Sequence, residues 1–204
     1  PHPDGKECRS KGGWKALRKL VGSRISKGES TVSNAHFAIR HINASDWEAL
    51  HKILSGPKVI WGTLQLPFPS ADAWKKRLSE PPDGFYSLVA CHGDERGEVV
   101  GHIGLQTFPN RPRRHHVGAI GMMVRDDWQG KGVGTALMQS IIELADNWLN
   151  LTRLELEVYT DNEFAIRLYQ KFGFGIEGTS KQQTFREGTY VDSHQMARLR
   201  TRLM

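Results

Sequence analysis

Two cysteines in 204 residues, Cys8 and Cys91, are too few to staple a fold. A disulfide scaffold is excluded, and a reducing compartment, the cytoplasm, is the expected setting. No apolar run approaches the ~20 residues of a membrane span, and no apolar segment marks a secretory signal. The nine histidines are scattered, with no H-E-x-x-H and no Cys/His cluster at zinc spacing, so no metal is expected. A G-x-S-x-G nucleophile turn is also lacking. With 38% apolar and 25% charged residues, the chain is neither collagen-like nor globally disordered.

An excess of charge of one sign is missing from most of the chain. Residues 1–36 hold eight Lys/Arg against three Asp/Glu, so +5 of the net +6 sits there. Residues 37–204 carry only +1, which gives no reason to expect nucleic acid or membrane as a partner. Residues 1–36 are rich in Gly, Ser, Lys and Arg and read as a basic flexible extension. Trp14, Leu17, Leu20 and Val21 would line one side of a short basic helix, but a solvated extension is the favoured reading. The first methionine is Met122, and the natural protein is expected to begin near Val32.

What is there, from residue 37 onward, is one domain of alternating strands and helices. Strands are expected at 37–42, 85–91, 99–105, 117–124, 154–159, 174–177 and 190–198. Helices are expected from Ser45 or Asp46 to Leu54, after the cap Ser70, over 132–149, and over 162–172. Residues 55–69 and 178–189 are expected as loops.

The most informative segment joins the fourth strand to the strongest helix, V-R-D-D-W-Q-G-K-G-V-G-T over 124–135. Glycines at a helix N-terminus let an anion approach unpaired N–H groups. A phosphate loop of the G-x-x-x-x-G-K-[ST] kind fails, because Gly132 follows Lys131 and Arg stands at 125. A dinucleotide G-x-G-x-x-G fails, because Thr135 stands where the spacing needs glycine. Gln129 to Gly134 instead reads Q-x-x-G-x-G, and a ligand-free glycine turn stays open on this motif alone.

A second segment lies one helix and one strand later. Residues 162–174 read N-E-F-A-I-R-L-Y-Q-K-F-G-F. The two together resemble the GNAT superfamily of N-acetyltransferases, over about residues 37–196. The likeness extends to a bacterial subgroup acting on small amines or free amino acids, through T-L-Q-L-P-F-P-S at 63–70, R-P-R-R at 111–114 with H-V at 116–117, D-N-W-L at 146–149 and E-G-T-Y-V-D at 187–192.

The resemblance implies a mixed α/β fold with a mostly antiparallel sheet, splayed between strands four and five and flanked by helices. It implies acetyl-CoA as acyl donor and a small-molecule amine as partner. Gln129, Gly130, Lys131, Gly132, Val133, Gly134 and Thr135 would hold the pyrophosphate. The backbones of Met122, Met123 and Val124 would pair with the pantetheine arm, and Asn162 would touch it. Tyr169 would protonate the leaving thiolate. Asn162 and Tyr169, seven residues apart, share a helix face about 10 Å apart.

Relatives commonly carry a carboxylate where this chain has Ala119, which leaves the base open among His102, His116, Glu155 and Glu157. His116 and Glu155 are the favoured pair, and a packed core histidine is the expectation for His102. Trp61, Leu66 and Phe68 would wall the acceptor or anchor their loop. Arg111, Arg113, Arg114 or Arg186 would meet an acceptor carboxylate. A peptide acetyltransferase, a non-catalytic acetyl-CoA sensor and a homodimer remain alternatives.

Overall fold

A computed structural model describes residues 37–200; the expectations for residues 1–36 lie outside it. Seven strands form one sheet in the order β1-β2-β3-β4-β5-β7-β6. They are β1 (Phe37–His41), β2 (Phe85–His92), β3 (Val99–Thr107), β4 (Val117–Val124), β5 (Arg153–Tyr159), β6 (Gly175–Arg186) and β7 (Thr189–Leu199). Every pairing is antiparallel except β4 with β5.

The helices are α1 (Trp47–Leu54), α2 (Pro57–Gly62), α3 (Ala71–Ser79), α4 (Val133–Glu143) and α5 (Glu163–Lys171). Strand alternation sends odd and even residues to opposite faces, and each face buries its own cluster. On one face Leu154, Leu156 and Val158 of β5 pack with Ile103, Leu105, Ile120 and the α4 residues Val133, Leu137 and Ile141. On the other, Val89, Cys91 and Val99 pack with Leu50, Ile53 and Leu54 of α1 and Val59 of α2. Among the described residues no helix is long and apolar enough to cross a membrane.

Three expectations are corrected. Residues 55–69 are not all loop, because Pro57 stands at the first turn of α2, where its fixed φ suits a helix start. Asp126 Oδ2 accepts the Lys58 N–H at 3.0 Å there. Residues 178–189 are not a loop but the body of a long β6–β7 hairpin. Its turn is Glu187-Gly188, with φ of 49° and 83°, and two successive positive φ values make the tight turn that matches strand twist.

The helix expected over 132–149 stays regular only through Glu143. A π-turn over Leu144–Trp148 follows, with Leu149 N–H donating to Leu144 O at 3.1 Å. The extra residue rotates Trp148 off the buried stripe, leaving it 64% exposed.

Candidate active site

The sheet opens where β4 and β5 part. The two strands pair at Val117↔Arg153, Gly118↔Leu154 and Ala119↔Glu155, and no further. Among the described residues, β4 beyond Ala119 continues bonded only to β3, and β5 beyond Glu155 only to β7. The outer edge of residues 120–124 is therefore an unpaired strand edge, able to take an extended chain as an added strand. Met122, Met123 and Val124 lie on it.

The turn at the end of β4 is braced from below. Arg125, only 9% exposed, bonds Asp127 through Nε at 2.6 Å and Glu98 through Nη2 at 3.2 Å. Its hydrogen bonds to those carboxylates raise its pKa, so the brace stays charged. Gln129 Nε2 donates to Val124 O at 3.2 Å, tying the turn to the strand end. The Lys131 ammonium sits 5.0 Å over the Trp128 ring.

Gly132, at φ 89°, caps α4 in a left-handed conformation that a side chain would strain. Among the described residues no side chain caps this helix, which leaves the N–H groups of its first turn able to meet an anion. Gly134 also has a packing reason. A Cβ there would lie 3.0 Å from Leu168 and 3.4 Å from Met122, so its absence lets α4 approach α5 and the slot.

Helix α5 borders the slot on the same face as α4. Asn162 caps it, Oδ1 accepting the Ala165 N–H at 3.2 Å. Tyr169 is 8% exposed within the α4 cluster. Burial raises its phenol pKa to about 12, and among the described residues its hydroxyl has no hydrogen-bond partner. The structure thus places Tyr169, Met122, Val124 and Val133 in one cluster on a single face of the sheet, with Asn162 at the start of the helix that carries Tyr169.

Other candidates are not gathered there. His116 stands before β4 at the closed end of the sheet, six residues and about 20 Å along the strand from Met122. Its carbonyl accepts from Thr152 and Arg153, and its ring lies edge-on to His115. That placement takes it out of reach of the slot as a base. Glu155 lies at the vertex, paired across from Ala119, but it is held by Arg114 and by Arg153 Nε at 3.2 Å. His102 is a buried core residue, as expected, bonded to Ser87 Oγ at 2.6 Å. Burial, with the charge of Arg77, pushes its pKa down to about 4, so it is neutral and a poor proton acceptor near pH 7. Glu157 carries no hydrogen bond or ion pair among the described residues and is exposed.

The acceptor-side wall also differs from expectation. Leu66 and Phe68 are 79% and 98% exposed, so they neither anchor the loop nor line a buried wall. The anchors are polar. Tyr159 Oη donates to Thr63 O at 3.0 Å, and Arg186 stacks 4.0 Å over Trp61 while donating to its carbonyl at 3.2 Å. Arg186 is also paired with Asp161, so its charge is already answered. These partners lie 25 to 125 residues apart, and no local pattern announces them.

The model of the Acetyltransferase (GNAT) family matches residues 47–174. The chain belongs to this family. It is an acetyl-CoA-dependent N-acetyltransferase. A curated relative, the L-amino acid N-acetyltransferase AaaT of Escherichia coli K12, is 45% identical over 166 residues, covering 81% of this chain and 99% of that protein. The spermidine N(1)-acetyltransferase of the same organism is 24% identical, covering 78% and 83% of the two chains. Among solved structures, a phosphinothricin acetyltransferase from Sinorhizobium meliloti in complex with AcCoA superposes with a TM-score of 0.69 at 23% identity. That match covers 80% of this chain and 88% of that one, and speaks for the fold. Among the described residues no group of His, Cys, Asp or Glu converges to hold a metal.

Proposed function

We propose that this acetyltransferase carries the acetyl group of acetyl-CoA to the primary amine of an L-amino acid, by direct attack in a ternary complex. The observation that carries the reading is the parting of β4 from β5 just beyond Ala119, with the glycine turn at the open end and Tyr169 on one flank. The 45% identity to an L-amino acid N-acetyltransferase along nearly its whole length supports the acceptor class.

Each part has a physical role. The α4 N-terminus, with Gln129, Gly130 and Lys131 beside it, receives the cofactor's pyrophosphate through unpaired N–H groups and a local positive charge. The edge of Met122, Met123 and Val124 pairs with the pantetheine arm, and a backbone N–H at Met122 or Met123 steadies the oxyanion of the tetrahedral intermediate. Asn162 holds the arm from the start of α5. Tyr169 gives its proton to the departing thiolate, and a phenol pKa of about 12 keeps that proton in place until it is needed. No covalent acyl-enzyme is required. The buried free thiol of Cys91 fits a cytoplasmic setting.

Release of CoA thiol, followed across a panel of L-amino acids and spermidine, tests the reading. Turnover is expected with at least one amino acid and preferred over the polyamine. An enzyme that binds acetyl-CoA but turns over none of the amino acids refutes it.

A further inference from the structure

We infer that the closed end of the sheet carries a second ligand site, separate from the slot, for a small molecule bearing a phosphate monoester. A cavity of about 560 Å³ opens there, lined by His115, His116, Leu149, Asn150, Thr152 and Arg200. Its volume falls within the range of small-molecule sites and exceeds what a bare phosphate fills. His116 directly precedes β4, and the strand runs about 20 Å from there to Met122. The cavity and the cofactor edge therefore lie at opposite ends of β4.

Three segments remote in sequence build the wall. His115 and His116 end the turn before β4, residues 149–152 lead from the π-turn into β5, and Arg200 follows β7. Backbone bonds lock them together. Thr152 and Arg153 donate their N–H groups to His116 O at 3.0 and 3.2 Å, and the Arg200 N–H donates to Thr152 O at 2.9 Å. The wall is thus part of the frame of the sheet, and a ligand there has little chain to order.

The charge in the wall is unanswered. Near this end of the sheet Arg114 pairs with Glu155, Arg153 with Glu155 and Glu177, and Arg198 with Asp146. Arg200 pairs with no carboxylate among the described residues. Its Nη1 donates to the Asp146 carbonyl, and its Nε and Nη2 have no partner among those residues. The Asp146 carboxylate is already taken at both oxygens by Arg198, at 2.9 and 2.7 Å. No carboxylate lines the cavity.

The other polar groups are free as well. His115 gives its Nδ1 proton to Pro112 O, which leaves Nε2 without a partner among the described residues. The His116 ring lies edge-on to it, 5.8 Å between centroids. Among the described residues the His116 ring, the Thr152 hydroxyl and the Asn150 amide make no hydrogen bond. A guanidinium with two open donors meets two phosphate oxygens at once. With the histidines, the hydroxyl and the amide around it, the donor set outnumbers the two oxygens of a carboxylate and suits the three of a phosphate ester. Leu149, the apolar member of the lining, faces the organic part.

The test is calorimetry on the full chain with CoA saturating the slot, so that its pyrophosphate turn is already filled. Inorganic phosphate and ribose 5-phosphate are titrated, with ribose as the uncharged control. Ribose 5-phosphate is expected to bind saturably at one molecule per chain and more tightly than inorganic phosphate, and ribose not at all. Arg200→Gln and His116→Ala are each expected to weaken that binding about tenfold or more. Melting temperatures are followed alongside, and His116, an exposed residue, supplies a variant that keeps the fold where Arg200→Gln does not. No saturable binding to wild type overturns the inference. Binding that both variants keep within threefold places the phosphate elsewhere and overturns it too. Inorganic phosphate binding as tightly as the ester overturns the assignment of an ester.

Discussion

Lowering the pH from 7 to 5 is expected to cost this enzyme about 2 kcal/mol of stability through His102 alone. The imidazole is buried, and its pKa is about 4 against an ordinary 6.5. The folded chain therefore resists a proton that the unfolded chain accepts below 6.5. The contribution is fully present above 6.5 and is lost as pH falls toward 4. At about 1.4 kcal/mol per pH unit, the whole window is worth about 3 kcal/mol, of which roughly two thirds is gone by pH 5. Carboxylates contribute in the same direction. Burial works to raise the pKa of Asp46, but hydrogen bonds from Arg40 and the Asn43 N–H outweigh it and leave the pKa lowered. His102→Gln separates the two sources, since it removes the imidazole and keeps the carboxylates. Urea unfolding of both proteins at pH 7.5, 6, 5 and 4.5 gives two stability curves. The variant starts lower at pH 7.5 and falls less steeply, so the curves converge by about 2 kcal/mol at pH 5. Parallel curves would refute the assignment of a neutral buried His102.

Three further outcomes are expected. Tyr169→Phe should lower kcat about 10–100-fold with acetyl-CoA affinity and melting temperature unchanged, because the hydroxyl has no partner to lose among the described residues; a variant with wild-type kcat would remove Tyr169 as the acid. Ser193→Ala should be neutral or stabilising by up to about 1 kcal/mol in thermal unfolding, since Ser193 Oγ is fully buried and has no partner among the described residues; a loss of more than that would reveal a bond the hydroxyl makes. Gly118→Ala should cost about 1–3 kcal/mol by overpacking, because its Cβ would fall 2.6 Å from Leu105 and 2.8 Å from Leu151. Urea midpoints give that loss directly, and an unchanged midpoint would show that those leucines move aside freely.

Where side-chain period and caps are local, the chain read correctly. The strand over Val117–Val124, the Ser70 cap with its Ala73 N–H bond at 3.3 Å, and the Asn162 cap all follow from residues within a few positions of one another. So does the family, since both of its motifs are contiguous. Elements that depend on an unusual backbone are not legible in this way. The π-turn at Leu144–Trp148 leaves no mark in an apolar repeat, and the Glu187-Gly188 turn needs a positive φ at a glutamate, which composition does not signal.

Which carboxylate is free is a different kind of question. Glu155 and Glu157 look alike in the sequence, alternating along one strand with aliphatic neighbours on both sides. Arg114, 41 residues away, occupies the first and leaves the second open. Likewise Ala119 reads in sequence as a missing group, and only the parallel register shows a carboxylate facing it from β5. His116 lies close to the site in sequence and about 20 Å from Met122 in space, because a strand is extended and carries its two ends apart. The sequence by itself determined the family, the donor and the face of each strand. The tertiary structure decided which side chains meet across the slot, because that depends on where two strands stop pairing.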